Sequence, residues 1–173
     1  MPRIHVSPLS RIASTVEATG ASHLVSLIND GTPVERPASI PAERHLFLGI
    51  SDVVAPTEGM ITPATEHVRA LLDFVAAWDR RQPMLIHCYA GISRSTAAAF
   101  IALCAVGPER AESEIAERLR AAAPSATPNA LLVGLADNLL DRRGRMVAAV
   151  AAIGRGEMAY EGVPFGLGID GED

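Results

Sequence analysis

The sequence predicts an α/β fold, a central mixed, mostly parallel sheet flanked by helices. Three observations predict it. Short apolar runs come early in the chain and alternate with segments of helical spacing. Helical patterns then dominate the C-terminal half. Finally, the apolar run "MLIHC" at 84–88 leads through a tight loop into a helical segment ending at 106, a strand–loop–helix unit.

The elements follow in order. "RIHV" is a short strand, and "SPLSRIASTVEATGA" is helical, with Pro8 near its start and Gly20 past its end. "HLVSLIND" reads as a buried strand closed by the turn signal Asn29-Asp30-Gly31. A proline-rich connection leads to the strand "RHLFLGI" and the loop "SDVVAPTEGMI". Thr62-Pro63 is an N-cap and first-turn proline, opening a helix with Val68, Leu71, Leu72, Val75 and Trp78 on one face. That helix is expected to end near Arg80-Arg81. After "MLIHC", the segment "STAAAFIALCAV" is apolar on nearly every side, which predicts a central, buried helix. Pro108 opens a helix marked by Ala111, Ile115 and Leu119, and Thr127-Pro128 opens another marked by Leu131, Leu135 and Leu139. Residues 1–153 are expected to form a single domain. Residues 154–173 hold six glycines in twenty residues and are expected to be a loosely ordered tail.

Composition narrows the function classes. The 173 residues suffice for one domain with a sizeable core. With 49% hydrophobic and 20% charged residues the chain is globular rather than disordered. A net charge of −5 argues against an extended nucleic-acid surface and against adsorption to anionic lipid. No apolar run reaches the ~18 residues of a membrane span, and the start lacks a signal-peptide pattern. Two cysteines make no disulfide framework, so reduced thiols and a cytoplasmic location are expected.

The chemistry concentrates in "LIHCYAGISRS", residues 85–95. A strand ends at Cys88, a loop follows with Gly91 for unusual backbone angles, and a helix begins near Arg94. Successive loop amides can converge into an anion-binding nest, and the helix N-terminus adds partial positive charge. The Arg94 fork can grip two oxygens of a phosphate. Each of these favours thiolate over thiol at Cys88, and a thiolate facing a bound phosphate is placed for in-line attack on phosphorus. A lone cysteine is more often plain core; the spacing of His87, Gly91, Arg94 and Ser95 around Cys88 sets this one apart.

His87-Cys88, five residues, Arg94, then Ser95 resembles the signature of the cysteine-based protein tyrosine phosphatase superfamily, and "AGISRS" resembles its dual-specificity branch most. "ASHLVSLIND", "HLFLGISD" and "PSATPNALLVGL" are similar to flanking segments of that branch, so the resemblance spans roughly residues 20 to 140. It implies a phosphatase-like sheet, with strand, phosphate loop and helix at 84–106. It implies no metal and no organic cofactor. It implies a two-step hydrolysis: Cys88 forms a phosphocysteine, which water then cleaves. Tyr89, Ala90, Gly91, Ile92 and Ser93 would bind phosphate largely through backbone N–H groups, together with Cys88 and Arg94. Ser95 would donate a hydrogen bond to the departing sulfur, and His87 would support the loop from behind. Asp52, just after "HLFLGI", stands where the family keeps its general acid; Glu58 is the fallback. Asn129 braces the loop or merely starts a helix.

The implied substrate is a phosphorylated protein carrying phosphotyrosine, with phosphoserine or phosphothreonine as further candidates, or a small phosphomonoester. Relatives that act on inositol lipids often carry lysine between the cysteine and the arginine, and this sequence has none there, so the resemblance implies a substrate other than an inositol lipid. Two other classes compete: a phosphate-binding recognition module without turnover, and a sulfur- or arsenic-handling thiol enzyme. The oligomeric state is left open. Cys104 lies ten residues past Arg94 on the same predicted helix, about 15 Å along its axis, too far for a disulfide and expected in the core. His5, His23, His45 and His67 lack metal-ligand spacing, and Arg142, Arg143 and Arg145 read as a solvated face.

Overall fold

The structure, a computed structural model, describes residues 2–171. Five strands form one sheet: β1 (Arg3–Pro8), β2 (His23–Ile28), β3 (His45–Gly49), β4 (Met84–Cys88) and β5 (Phe165–Gly168), in the order β3-β2-β4-β1-β5. β3, β2, β4 and β1 run parallel, and β5 is antiparallel to β1. The helices are α1 (Ile12–Thr19), α2 (Thr65–Ala77), α3 (Arg94–Val106), α4 (Glu112–Ala122), α5 (Ala130–Leu139) and α6 (Arg145–Ile153). The architecture is the predicted α/β one.

The pleat sorts side chains by alternation. Ile4, Val6, Val25, Leu27, Met84 and Ile86 face the large core built by α2 to α6. Leu24 and Leu85 face a smaller core with Ile12 and Val16 of α1 and Ile40. α3 is the hub of the larger core. Its residues from Arg94 to Cys104 are all buried, which its all-round apolar sequence predicts. No helix among the described residues is long and apolar enough to cross a membrane.

Three expectations are corrected. First, the glycine-rich segment past 153 is not a loose tail throughout: Phe165–Gly168 is the fifth strand. Two of its glycines mark close approach: a Cβ at Gly156 would lie 2.5 Å from the Ser125 carbonyl carbon and one at Gly162 2.8 Å from the Gly91 oxygen. Second, helices start later than the proline signals place them, at Thr65, Glu112 and Ala130, with Pro63, Pro108 and Pro128 in the segments before them. α2 also stops at Ala77, short of Arg80-Arg81. Third, Arg142 is buried rather than solvated. It pairs with buried Glu112 at 2.8 Å and donates to the Cys104 carbonyl at 2.7 Å.

Candidate active site

Cys88 closes β4, residues 89–93 form the loop, and Arg94 opens α3. The loop carbonyls are tied outward. Tyr89 O accepts from Leu9 N at 3.1 Å, Ala90 O from Gly162 N at 2.8 Å, Ile92 O from Thr127 N at 2.9 Å and Ser93 O from Asn129 N at 3.2 Å. A planar trans peptide turns the next residue's N–H the opposite way, so the amides of Ala90, Gly91, Ser93 and Arg94 are turned to the inner side of the loop. Gly91 N–H accordingly donates to Cys88 Sγ at 3.2 Å. Gly91 has φ 71°, and a Cβ there would lie 2.7 Å from Pro8 N, so conformation and space both demand glycine.

Cys88 is buried, and its Sγ lies 3.1 Å from the Ser95 hydroxyl. Arg94 is buried as well. Its Nη1 donates to Asn29 Oδ1 and to Ile50 O, each at 2.8 Å, which anchors one edge of the guanidinium to the ends of β2 and β3. Its Nε is buried and has no hydrogen-bond partner among the described residues. An unpaired buried donor costs about 1–3 kcal/mol, and a bound oxyanion would satisfy it.

Asp52 is exposed in the loop after β3. Its Oδ1 accepts from Ser93 Oγ at 2.7 Å and from Asn129 Nδ2 at 2.9 Å. Asn129 is thus both brace and cap, because its Oδ1 also accepts from Leu131 N and Leu132 N at the start of α5. The expected N-cap, Thr127, instead holds the loop through its backbone. Glu58 is exposed and forms no hydrogen bond with the site.

His87 is fully buried. Its Nδ1 faces Cys88 O at 3.2 Å, and its Nε2 faces Ser26 Oγ at 2.6 Å. Burial is the largest influence on its pKa, and the ring is pushed down to about 4 and stays neutral. Cys104 lies in the α3 core, where burial pushes its thiol up to about 12, so it stays a protonated packing residue. Among the described residues, no three His, Cys, Asp or Glu side chains gather as a metal site. A groove of about 650 Å³ opens beside the loop, lined by Asp52, Ile92, Ser93, Thr127, Arg155 and Met158 among others.

No family model matches the chain, and no curated protein does. Solved structures do match. Human DUSP28 matches with a TM-score of 0.62 at 16% identity, over 81% of this chain and 92% of its own. A human tyrosine phosphatase-like serine/threonine/tyrosine-interacting protein gives 0.63 at 15% identity, again over 81% and 92%. The PTP-2 phosphatase of Cydia pomonella gives 0.61 at 20% identity, over 78% and 84%. The chain has the dual-specificity phosphatase fold.

Within this phosphatase fold the structure brings Cys88, Arg94, Ser95, Asp52, Asn129 and His87 to one end of the sheet. Sequence reasoning missed three residues around them. Asn29, read only as a turn signal, holds Arg94. Ser26 and His45 line up behind His87. Their signal is a polar residue at strand positions otherwise apolar, Ser26 most plainly in the run "HLVSLI".

Proposed function

We propose that the protein is a phosphomonoester hydrolase working through a phosphocysteine, of the protein tyrosine phosphatase kind with dual specificity open to it. One observation carries this reading. The Cys88 sulfur accepts the Gly91 N–H inside a loop whose carbonyls are engaged outward, while Arg94 keeps a buried Nε–H without a partner among the described residues. That set of donors suits a tetrahedral dianion.

In the first step the Cys88 thiolate attacks phosphorus. An S–P bond forms as the ester P–O bond breaks, and Asp52 protonates the leaving oxygen. In the second step Asp52, now a carboxylate, takes a proton from the water that attacks phosphorus, and the thiolate leaves. A thiolate carries no proton, so across the 3.1 Å contact Ser95 donates and stabilises the departing sulfur. The loop amides and Arg94 hold the phosphoryl oxygens throughout, so the scheme calls on no metal or cofactor. The substrate is a phosphorylated protein carrying phosphotyrosine, or a small phosphomonoester, with the groove beside Asp52 taking the esterified group. A cytoplasmic setting, where thiols stay reduced, suits the nucleophile.

The test is hydrolysis of para-nitrophenyl phosphate with excess EDTA, wild type beside Cys88→Ser. The expected result is activity that survives chelation and falls roughly a thousandfold or more in the variant, with vanadate binding retained. Substantial turnover by Cys88→Ser sinks the covalent mechanism. A wild type that binds phosphate without turnover is a recognition module instead.

A further inference from the structure

We propose that Ser26 and His45 are positioning residues for Cys88, joined to it by a one-way hydrogen-bond chain. The chain runs from His45 on β3 through Ser26 on β2 to His87 on β4 and ends on the Cys88 carbonyl. The proposal rests on the phosphatase reading in taking Cys88 as the nucleophile.

Strand register builds the chain. Ser26 sits directly opposite His87 on β4 and opposite Phe47 on β3. His45 precedes Phe47 by two residues, so the period of two puts it on the same sheet face. His45 Nε2 lies 2.8 Å from Ser26 Oγ, Ser26 Oγ 2.6 Å from His87 Nε2, and His87 Nδ1 3.2 Å from Cys88 O.

The chemistry of the partners fixes the direction. A carbonyl only accepts, so His87 Nδ1 carries the hydrogen. A neutral imidazole has one N–H, so His87 Nε2 is an acceptor and the Ser26 hydroxyl must donate to it. With its proton so used, Ser26 Oγ accepts from His45 Nε2–H. Both tautomers follow from the network. Ser26 and His87 are 0% exposed, so water does not compete for these bonds. His45 is partly exposed and ends the chain at the sheet edge.

Cys88 is the last strand residue, and its carbonyl orientation sets where the chain turns into the loop. Supporting bonds of this kind hold a reactive side chain in its productive geometry, and in metal sites, where such bonds orient the ligands, their loss typically costs about 10- to 100-fold. Ser26→Ala removes the middle link and leaves His87 Nε2 without its donor. His45→Gln keeps an N–H donor at the Nε2 position, whereas His45→Ala does not.

Three readouts on the full chain decide the matter. They are ¹⁵N-edited imidazole tautomer spectra, the rate of Cys88 alkylation by iodoacetamide at pH 6.5, and kcat and KM for para-nitrophenyl phosphate. Expected are a Nδ1–H tautomer at His87 and a Nε2–H tautomer at His45. Ser26→Ala and His45→Ala should slow alkylation and kcat by roughly tenfold, with little change in KM. His45→Gln should recover to within about threefold of wild type. The proposal is overturned by a Nε2–H tautomer at His87, by wild-type alkylation in Ser26→Ala and His45→Ala, or by His45→Gln as slow as His45→Ala. If Ser26→Ala does not fold, the two His45 variants at the partly exposed end still decide. A wild type that turns over no substrate defeats the phosphatase reading alone, because spectra and alkylation test the chain without it.

Discussion

Ser93 and Asn129 both donate to Asp52 Oδ1, and among the described residues no group donates to Oδ2, the oxygen that the proposed reaction would turn to the substrate. A general acid matters most where the leaving group is a poor one. Asp52→Asn should therefore slow alkyl phosphates far more than para-nitrophenyl phosphate, by roughly 100-fold against less than tenfold. Equal losses on both would remove Asp52 from the role. His87 makes a second prediction, in stability. Its folded pKa of about 4 lies below the ordinary value of 6.5, so between those values the unfolded chain binds more protons. Stability is fully present above pH 6.5 and falls as the pH drops towards 4. At pH 5 the loss attributable to this ring is about 2 kcal/mol at most. Urea midpoints at pH 7 and pH 5 should separate more in the wild type than in His87→Asn. The same separation in both would mean that the buried ring does not drive the acid sensitivity.

At the scale of elements, α3, α4 and the turn before α6 are tied by one buried ion pair. Glu112 feels burial first, which pushes its pKa up. Its own backbone N–H, Arg142 and Arg145 outweigh burial and hold the carboxyl below its usual range. This contribution is present above the unfolded carboxyl value and is lost as the pH falls through the lower folded one. Arg142→Met leaves Glu112 buried without its best partner and should cost about 3 kcal/mol, read as a drop in the urea midpoint. The double variant Glu112→Gln, Arg142→Met should regain part of that loss; no recovery would mean that Arg142 acts through packing alone. The elements also differ in how legible they were. β2, β4 and α3 are predominantly apolar runs, and burial on all sides leaves that mark in sequence. The loop after β4 was legible because its parts are contiguous, from His87 to Ser95. Asn29, Ser26 and His45 reach the site through strand pairing, which spacing along the chain does not encode. α6 was not read at all, although Met146, Ala149, Val150 and Ile153 recur at helical spacing between Gly144 and Gly154. Its start is capped from afar by Asp137, whose carboxylate accepts from Gly144 N at 2.7 Å and Met146 N at 2.8 Å.

At the scale of the whole molecule, segments from both halves of the chain flank the 89–93 loop, Leu9 on one side and the stretch before β5 on the other. β1 and β5 pair at the sheet edge, and the segment between α6 and β5 crosses back past the candidate site. There Gly156 N donates to Thr127 Oγ1 at 3.1 Å and Gly162 N to Ala90 O at 2.8 Å. Glycine density was read as looseness because glycine is also the residue of flexible tails. Here it serves close approach, and the two uses look alike in composition. The difference has a functional consequence. A side chain at 162 would sit 2.8 Å from the Gly91 oxygen, a backbone atom of the 89–93 loop with little room to yield. Gly162→Val should therefore push on the loop from outside and lower kcat/KM for para-nitrophenyl phosphate by roughly tenfold, since displacements near 1 Å at a reacting group carry penalties of that order or larger. Val163→Thr, one residue on and 82% exposed, should leave turnover unchanged. If Gly162→Val keeps wild-type kcat/KM while folding normally, the segment is not clamped to the loop, and the C-terminal residues serve the edge of the sheet alone.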